Sequence, residues 1–418
     1  MSLAHEPSLA AVAASPRAFG RLPALAGAPA AFRFAARLLA LNWRVGGLTF
    51  ITPGGRELRI TGTEPGDEAR IVIHDFRFIR RVMAAGDIGF AEGYMAGEWD
   101  TPDLSTVLCA MSLNLDRLTR LFLGNPVVRA VNFLGHSLHA NTRKGSRKNI
   151  HAHYDLGNAF YSLWLDRTMT YSSARYERAG QPLDQAQTQK YRSLAQGMDL
   201  QSGQSVLEIG CGWGGFAEFA AKEVGANVTG ITISQEQFDF ARRRIFEQGL
   251  AEKAEIRMID YRDVEGRFDR VASIEMFEAV GERYWPTYFG KIRDVLSPGG
   301  RAGLQIITIR DEIFEAYRRR ADFIQKYIFP GGMLPSEQRL KVETDRAGLG
   351  WTGLTRFGQD YADTLSEWGR RFESAWDGIA DLGFDERFRK LWRFYLSYCE
   401  AGFRTERTNV VQLSLSRV

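Results

Sequence analysis

The segment Val206-Leu207-Glu208-Ile209-Gly210-Cys211-Gly212-Trp213-Gly214-Gly215 limits the fold of this chain more than any other. The apolar run 205–209 reads as a buried strand that carries one carboxylate, Glu208, near its end. Glycines follow at alternate positions, and a helical pattern resumes at Phe216-Ala217-Glu218-Phe219-Ala220. Strand, glycine turn and helix are the opening unit of a doubly wound α/β domain, in which a ligand lies over the carboxyl end of the strand. Without Cβ atoms, the backbone of such a turn passes close to that ligand.

The sequence downstream keeps this rhythm. Strand candidates are 204–209, 227–232, 254–258, 268–274, 301–309 and 410–416, with helices such as 235–248 and 288–296 between them. Regular alternation predicts a mostly parallel sheet covered on both faces. The stretch 310–400 breaks the rhythm with helical, aromatic-rich sequence, including Phe314, Tyr317, Phe329, Trp351 and Trp368. An insertion before the last strand is well placed to build a lid or apolar pocket over the strand ends. Ahead of the α/β unit, 48–52, 58–62 and 69–73 read as short strands and 76–85 as a helix. The glycine- and aromatic-rich 89–100 reads as a loop or broken helix.

Charge is unevenly spread. The net charge is +4 over 418 residues, yet 117–150 holds seven basic residues and no acid, interleaved with Leu118, Leu121, Phe122, Val128 and Phe133. Apolar side chains among cations can lie on an anionic membrane surface. A helix packed on the neighbouring domain, followed by a basic linker, reads equally well. No apolar run approaches the ~20 residues that span a bilayer. Three scattered cysteines, Cys109, Cys211 and Cys399, point to a reducing compartment without a disulfide framework. His151 and His153 have no Cys or His partners at zinc-like spacing, so no metal is assigned.

The glycine turn in its form Glu208-x-Gly210-x-Gly212-x-Gly214 is the methyltransferase variant, which implies S-adenosylmethionine. Further segments extend the likeness: His153-Tyr154-Asp155-Leu156-Gly157-Asn158, Met169-Thr170-Tyr171-Ser172, Gly230-Ile231-Thr232-Ile233-Ser234-Gln235, Met276-Phe277-Glu278 and Lys326-Tyr327-Ile328-Phe329-Pro330-Gly331-Gly332. Together, from about residue 89 to the C-terminus, they resemble the cyclopropane fatty acid synthase family, methyltransferases of unsaturated acyl chains. The resemblance implies a Rossmann-like class I methyltransferase domain at 151–418 with a helical lid insertion. Before it come a disordered tail (1–30), a smaller α+β N-terminal domain (31–140) associated with lipid or membrane, and a linker (141–150).

Carried over residue by residue, the resemblance gives Tyr171 and Ser172 to the methionine carboxylate and Gly210, Gly212 and Gly214, beside Glu208, to the methionine side. Thr232 and Gln237 fall at the ribose, Asp260 and Tyr261 at the adenine. Glu278 is the carboxylate expected to stabilise the cation left by methyl transfer to an alkene. In the family, a bound bicarbonate then takes a proton from the new methyl group and closes a ring. Of its cradle, Glu278, Ile309 and Tyr361 match here, Ser173 replaces a Cys, and Ile307 replaces a His. An apolar Ile307 should weaken bicarbonate binding, so the proton is expected to leave the chain instead.

The reading is a methyltransferase of unsaturated phospholipid acyl chains that yields a methyl-branched unsaturated product. A cyclopropane synthase is the alternative, and a catalytically inactive lipid-binding homologue a further one. The expected location is cytoplasmic and peripheral at the inner membrane surface, with no nucleic-acid partner; a homodimer is left open.

Overall fold

The computed structural model describes residues 27–114 and 156–417. The expected tail up to residue 26, the basic stretch 117–150, the linker and His151, His153, Tyr154 and Asp155 lie outside the described residues.

Helix α1 (Ala30–Asn42) buries Phe32, Ala35, Ala36 and Leu39, the three- and four-residue spacing of one helix face. It covers a four-stranded sheet of β1 (Val45–Ile51), β2 (Glu57–Thr61), β3 (Glu64–Ile73) and β4 (Trp99–Asp100), in the order β2-β1-β3-β4. Helices α2 (Arg77–Ala85), α3 (Asp87–Met95) and α4 (Leu104–Asn114) complete this part. The segment read as a loop or broken helix is largely α3, because its glycines serve packing. A Cβ on Gly93 would lie 2.8 Å from the Phe78 Cβ, and one on Gly89 would collide with the Arg81 carbonyl.

Helices α5 (Gly157–Trp164) and α6 (Leu183–Gly197) lead into a seven-stranded sheet. Its strands are β5 (Ser205–Ile209), β6 (Asn227–Thr232), β7 (Ala254–Met258), β8 (Phe268–Ile274), β9 (Leu296–Ile309), β10 (Leu349–Arg356) and β11 (Thr408–Arg417). The order is β10-β11-β9-β8-β5-β6-β7, parallel from β7 to β9, with β11 antiparallel between β9 and β10. Chain order reverses between β5 and β8, which opens a crevice over their carboxyl ends. Helices α7 (Gly215–Phe219), α8 (Gln235–Glu247) and α9 (Trp285–Val295) pack on the sheet. The expected helical insertion holds α10 (Asp311–Tyr317), α11 (Phe323–Tyr327), α12 (Glu337–Arg346), α13 (Gly358–Ser374), α14 (Trp376–Asp381) and α15 (Glu386–Arg404). It also holds edge strand β10, which the sequence reading did not contain.

One hydrophobic cluster joins the N-terminal sheet to the helices beside the larger sheet, running from Phe32, Ile71 and Trp99 into Phe160, Trp164, Trp368 and Phe394, while two further clusters cover the larger sheet itself. Burying one such side chain contributes about 1.5–3 kcal/mol. Ion pairs reinforce the junction: Arg320 to Asp87 at 3.1 Å, Lys326 to Glu92 at 2.8 Å and Lys390 to Asp100 at 3.5 Å. Among the described residues, no helix is long and apolar enough to cross a membrane.

Candidate active site

A cavity of about 550 Å³ opens over the ends of β5, β6 and β8. Its polar side is built by the strand-end turns. Gly210 and Gly212 adopt φ of 81° and 53°, the left-handed region that glycine enters freely. A Cβ on Gly212 would meet no atom within 4 Å, so this residue faces open cavity. Gly214 has a different position: it does not line the cavity, and a Cβ there would lie 3.1 Å from the Ala241 Cβ on α8.

Glu208, the penultimate residue of β5, is buried, and its Oε2 has no hydrogen-bond partner among the described residues. Burial pushes its pKa well above the ordinary carboxylate range, against the attraction of Lys190 and Arg244. At the end of β6, the Thr232 hydroxyl donates to Gln237 Oε1 at 2.9 Å, and Ser234 caps α8. After β7, Asp260 is held by Arg262 through bonds of 2.8 and 2.5 Å, with Tyr261 beside it on the cavity wall. On the opposite wall the Tyr171 hydroxyl meets that of Tyr395 at 2.7 Å, and Ser172 Oγ accepts from Lys190 Nζ at 2.7 Å.

The apolar side comes from the insertion and the end of β9. Ile307, Ile309, Phe329, Leu334 and Phe403 line it, and it reaches Phe90 and Met111 in α3 and α4. Ile309 lines the cavity, and its N–H is committed to the Pro335 carbonyl at 2.9 Å, so it is not free for a bound anion.

Where these two sides meet stand two half-buried glutamates. Glu278 Oε1 accepts from the Ile307 N–H at 2.5 Å, while its Oε2 is buried without a partner. Burial, and then repulsion from Glu275, raise its pKa to about 8. Glu275 follows β8 directly at φ 48°, a conformation that costs a non-glycine residue about 1–3 kcal/mol. Its Oε1 accepts from the Ser173 N–H and Gln305 Nε2, both at 2.8 Å, and its Oε2 from the Tyr361 hydroxyl at 2.6 Å. Burial raises its pKa; the bonds from Tyr361 and Gln305 and the charge of Lys190 oppose the rise.

Ser173 and Tyr361, which the family resemblance gave to bicarbonate, thus both face an internal carboxylate. Ser173 is fully buried behind the wall, and its hydroxyl donates to the Ala174 carbonyl at 2.8 Å. The sequence reading missed Glu275, Gln305 and Lys190. A signal for Glu275 was present: a carboxylate directly after an apolar strand of a parallel sheet stands where ligands bind. Lys190 falls on the buried face of α6 with Leu183, Ala186, Gln187 and Leu194, a spacing that marks an inward cation.

Glu278 has a consequence for stability. Its folded pKa lies above the unfolded value, so the folded state binds more protons and loses stability as pH rises toward 8. Glu278→Gln, which mimics the protonated side chain, should match the parent in Tm near pH 5 and exceed it by about 2–5 °C at pH 8.5. Thermal melts at the two pH values check this; a variant that melts lower at both would contradict the burial argument.

Comparison with known proteins agrees with this architecture. Residues 141–413 match the family model described as mycolic acid cyclopropane synthetase. The chain is 40% identical over 351 residues to a tuberculostearic acid methyltransferase of Mycobacterium tuberculosis, covering 81% of each chain. It is 34% identical over 374 residues to the cyclopropane-fatty-acyl-phospholipid synthase of Escherichia coli K12, covering 86% of this chain and 90% of that one. Among solved structures, a mycolic acid cyclopropane synthase complexed with SAH and CTAB superposes with a TM-score of 0.62 at 29% identity, over 65% of this chain and 98% of that one.

Proposed function

This chain belongs to the mycolic acid cyclopropane synthetase family and is an S-adenosylmethionine-dependent methyltransferase; from that premise we propose that it methylates the double bond of unsaturated phospholipid acyl chains and releases a methyl-branched, still unsaturated product. The cavity suits the cofactor on two observations: Glu208 offers an unpartnered buried oxygen, and Gly212 leaves open space before it. Tyr171, Ser172, Glu208, Gly210 and Gly212 would hold the methionine end, Thr232 and Gln237 the ribose, and Asp260 and Tyr261 the adenine. Gly214 would act behind them, through helix packing. When bound, the cofactor supplies an electrophilic methyl group.

The remaining chemistry belongs to this chain's own residues. An alkene is a poor nucleophile, so the apolar wall must exclude water and hold the double bond in line with the sulfonium methyl. Once its π pair has taken up the methyl group the cofactor would supply, the acyl chain would carry a carbocation. Glu278, with one oxygen unpartnered, stabilises that charge in its ionised form, which a neighbouring positive charge favours. A proton then leaves the cation, and the electrons of its C–H bond restore a double bond.

The observation that carries the product assignment is the Glu275 carboxylate, which takes the Ser173, Gln305 and Tyr361 donors. A cradle so filled does not fit bicarbonate, and Ile307 adds no polar atom on its side chain. Glu275 is the base under this reading: a fixed internal carboxylate in place of a mobile anion.

Two relatives support the substrate class by their names, one a tuberculostearic acid methyltransferase, the other a cyclopropane-fatty-acyl-phospholipid synthase. The proposed location is cytoplasmic, at the inner membrane surface, and the N-terminal sheet and its helices form the lipid-handling part. Methyl-labelled cofactor incubated with vesicles of monounsaturated phosphatidylglycerol tests the substrate: label should enter the fatty acid fraction after saponification. Label confined to a headgroup or to nitrogen or oxygen atoms would overturn the assignment.

A further inference from the structure

Lys190 takes no part in the reaction described above, yet the fold invests heavily in it. It lies in the middle of α6 with no exposed surface. A buried ammonium is costly unless its charge is answered. Three carboxylates face it, Asp166 after α5, Glu208 on β5 and Glu275 after β8, and Tyr191 on its own helix offers a ring 4.5 Å from Nζ. Among the described residues Lys190 forms no direct ion pair, and its side-chain hydrogen bond goes to a neutral group, the Ser172 hydroxyl, at 2.7 Å.

Ser172 is fixed from two directions. Lys190 donates to its Oγ, and Gln187, one turn earlier on α6, donates to its carbonyl at 2.9 Å. A hydroxyl that accepts from an ammonium keeps its own proton to donate, and Ser172 lines the cavity. Across the cavity Glu208 presents its unpartnered oxygen. The pair suits a zwitterion, with a buried carboxyl group on one side for its ammonium and, on the other, a hydroxyl backed by a buried amine for its carboxylate.

We propose that Lys190 is a positioning residue that supplies the counter-charge for the methionine carboxylate of the cofactor, through the Ser172 hydroxyl. The proposal rests on the reading that Tyr171 and Ser172 hold that carboxylate. It also accounts for a cation kept where, among the described residues, no carboxylate pairs with it directly: the missing partner arrives with the ligand. In the free protein, burial lowers the Lys190 pKa to about 7, against the pull of Glu275, Asp166 and Glu208. An arriving carboxylate favours the charged form, so binding above neutral pH should draw in a proton.

Calorimetry on the full chain tests this with two ligands: S-adenosylhomocysteine, which carries the amino acid moiety, and 5′-methylthioadenosine, which lacks it. Titrations at pH 8 in buffers of different ionisation enthalpy count the protons. The wild type should take up about half a proton or more with S-adenosylhomocysteine and less with methylthioadenosine. Lys190→Met should weaken S-adenosylhomocysteine about 10- to 100-fold and leave methylthioadenosine within about 2-fold, as expected for one charge-assisted contact. Lys190→Gln keeps a donor for Ser172 but not the charge, and should show the same selective loss without proton uptake.

Equal loss of both ligands would mean a structural role and overturn the proposal. So would unchanged S-adenosylhomocysteine affinity in a folded variant. If neither variant folds, two ligands on the wild type decide: S-adenosylhomocysteine that draws in no more protons at pH 8 than its decarboxylated analogue, which keeps the ammonium, is the contrary result. Wild-type protein that binds neither ligand would instead sink the cofactor reading on which the proposal depends.

Discussion

Glu275→Gly is expected to abolish most of the methyl-branched alkene, by about 100-fold or more if Glu275 is the base, and to make the remaining turnover respond to bicarbonate. The backbone should accept the change, since φ at this position is 48° and glycine relieves the strain there. Removal of the side chain frees the Ser173 N–H, the Gln305 amide and the Tyr361 hydroxyl, three donors that converge on one small space. A planar oxyanion can answer them, and a mobile base in that space can reach the new methyl group. Ring product should therefore appear in the variant, and rise with added bicarbonate. Chromatography of the acyl methyl esters, with and without bicarbonate, reads the outcome. A variant with wild-type product and rate would show that Glu275 only braces the site. Ile307→His alone should change little, because the carboxylate still fills the cradle.

Gly212→Val should weaken S-adenosylhomocysteine at least about 100-fold while the protein still folds. Two effects combine. Valine is a severe outlier at a φ of 53°, and its side chain would project into the space that faces the cavity. No neighbouring atom stands within 4 Å of the added Cβ, so the core is spared. Calorimetry for affinity and a thermal melt for folding separate the effects; unchanged affinity in a folded variant would contradict the cofactor assignment.

Much of this site was legible in the sequence, and its silent parts share a cause. β5 and its glycine turn were readable because an apolar run and its breakers are adjacent in the chain. Glu278 was readable through the motif around it. Glu275 was not, because its role comes from Ser173, Gln305 and Tyr361, which lie 102, 30 and 86 positions away. Only the folded sheet brings these donors together. Strand β10 was missed because Gly350 and Gly353 dilute its pattern and, as an edge strand, it leaves most side chains partly or fully exposed. In α3 the error ran the other way: Gly89 and Gly93 suggested a break, whereas they allow close packing on α2.

The central claim is that an internal carboxylate replaces the bicarbonate-assisted step, so that this methyltransferase leaves an alkene. The most direct measurement is the product of the wild-type protein with monounsaturated phospholipid vesicles, analysed as fatty acid methyl esters before and after mild hydrogenation. The account predicts a methylated ester that takes up hydrogen to become a saturated branched chain, in a yield indifferent to added bicarbonate. A product that resists mild hydrogenation, carries a three-membered ring and grows with bicarbonate would contradict it.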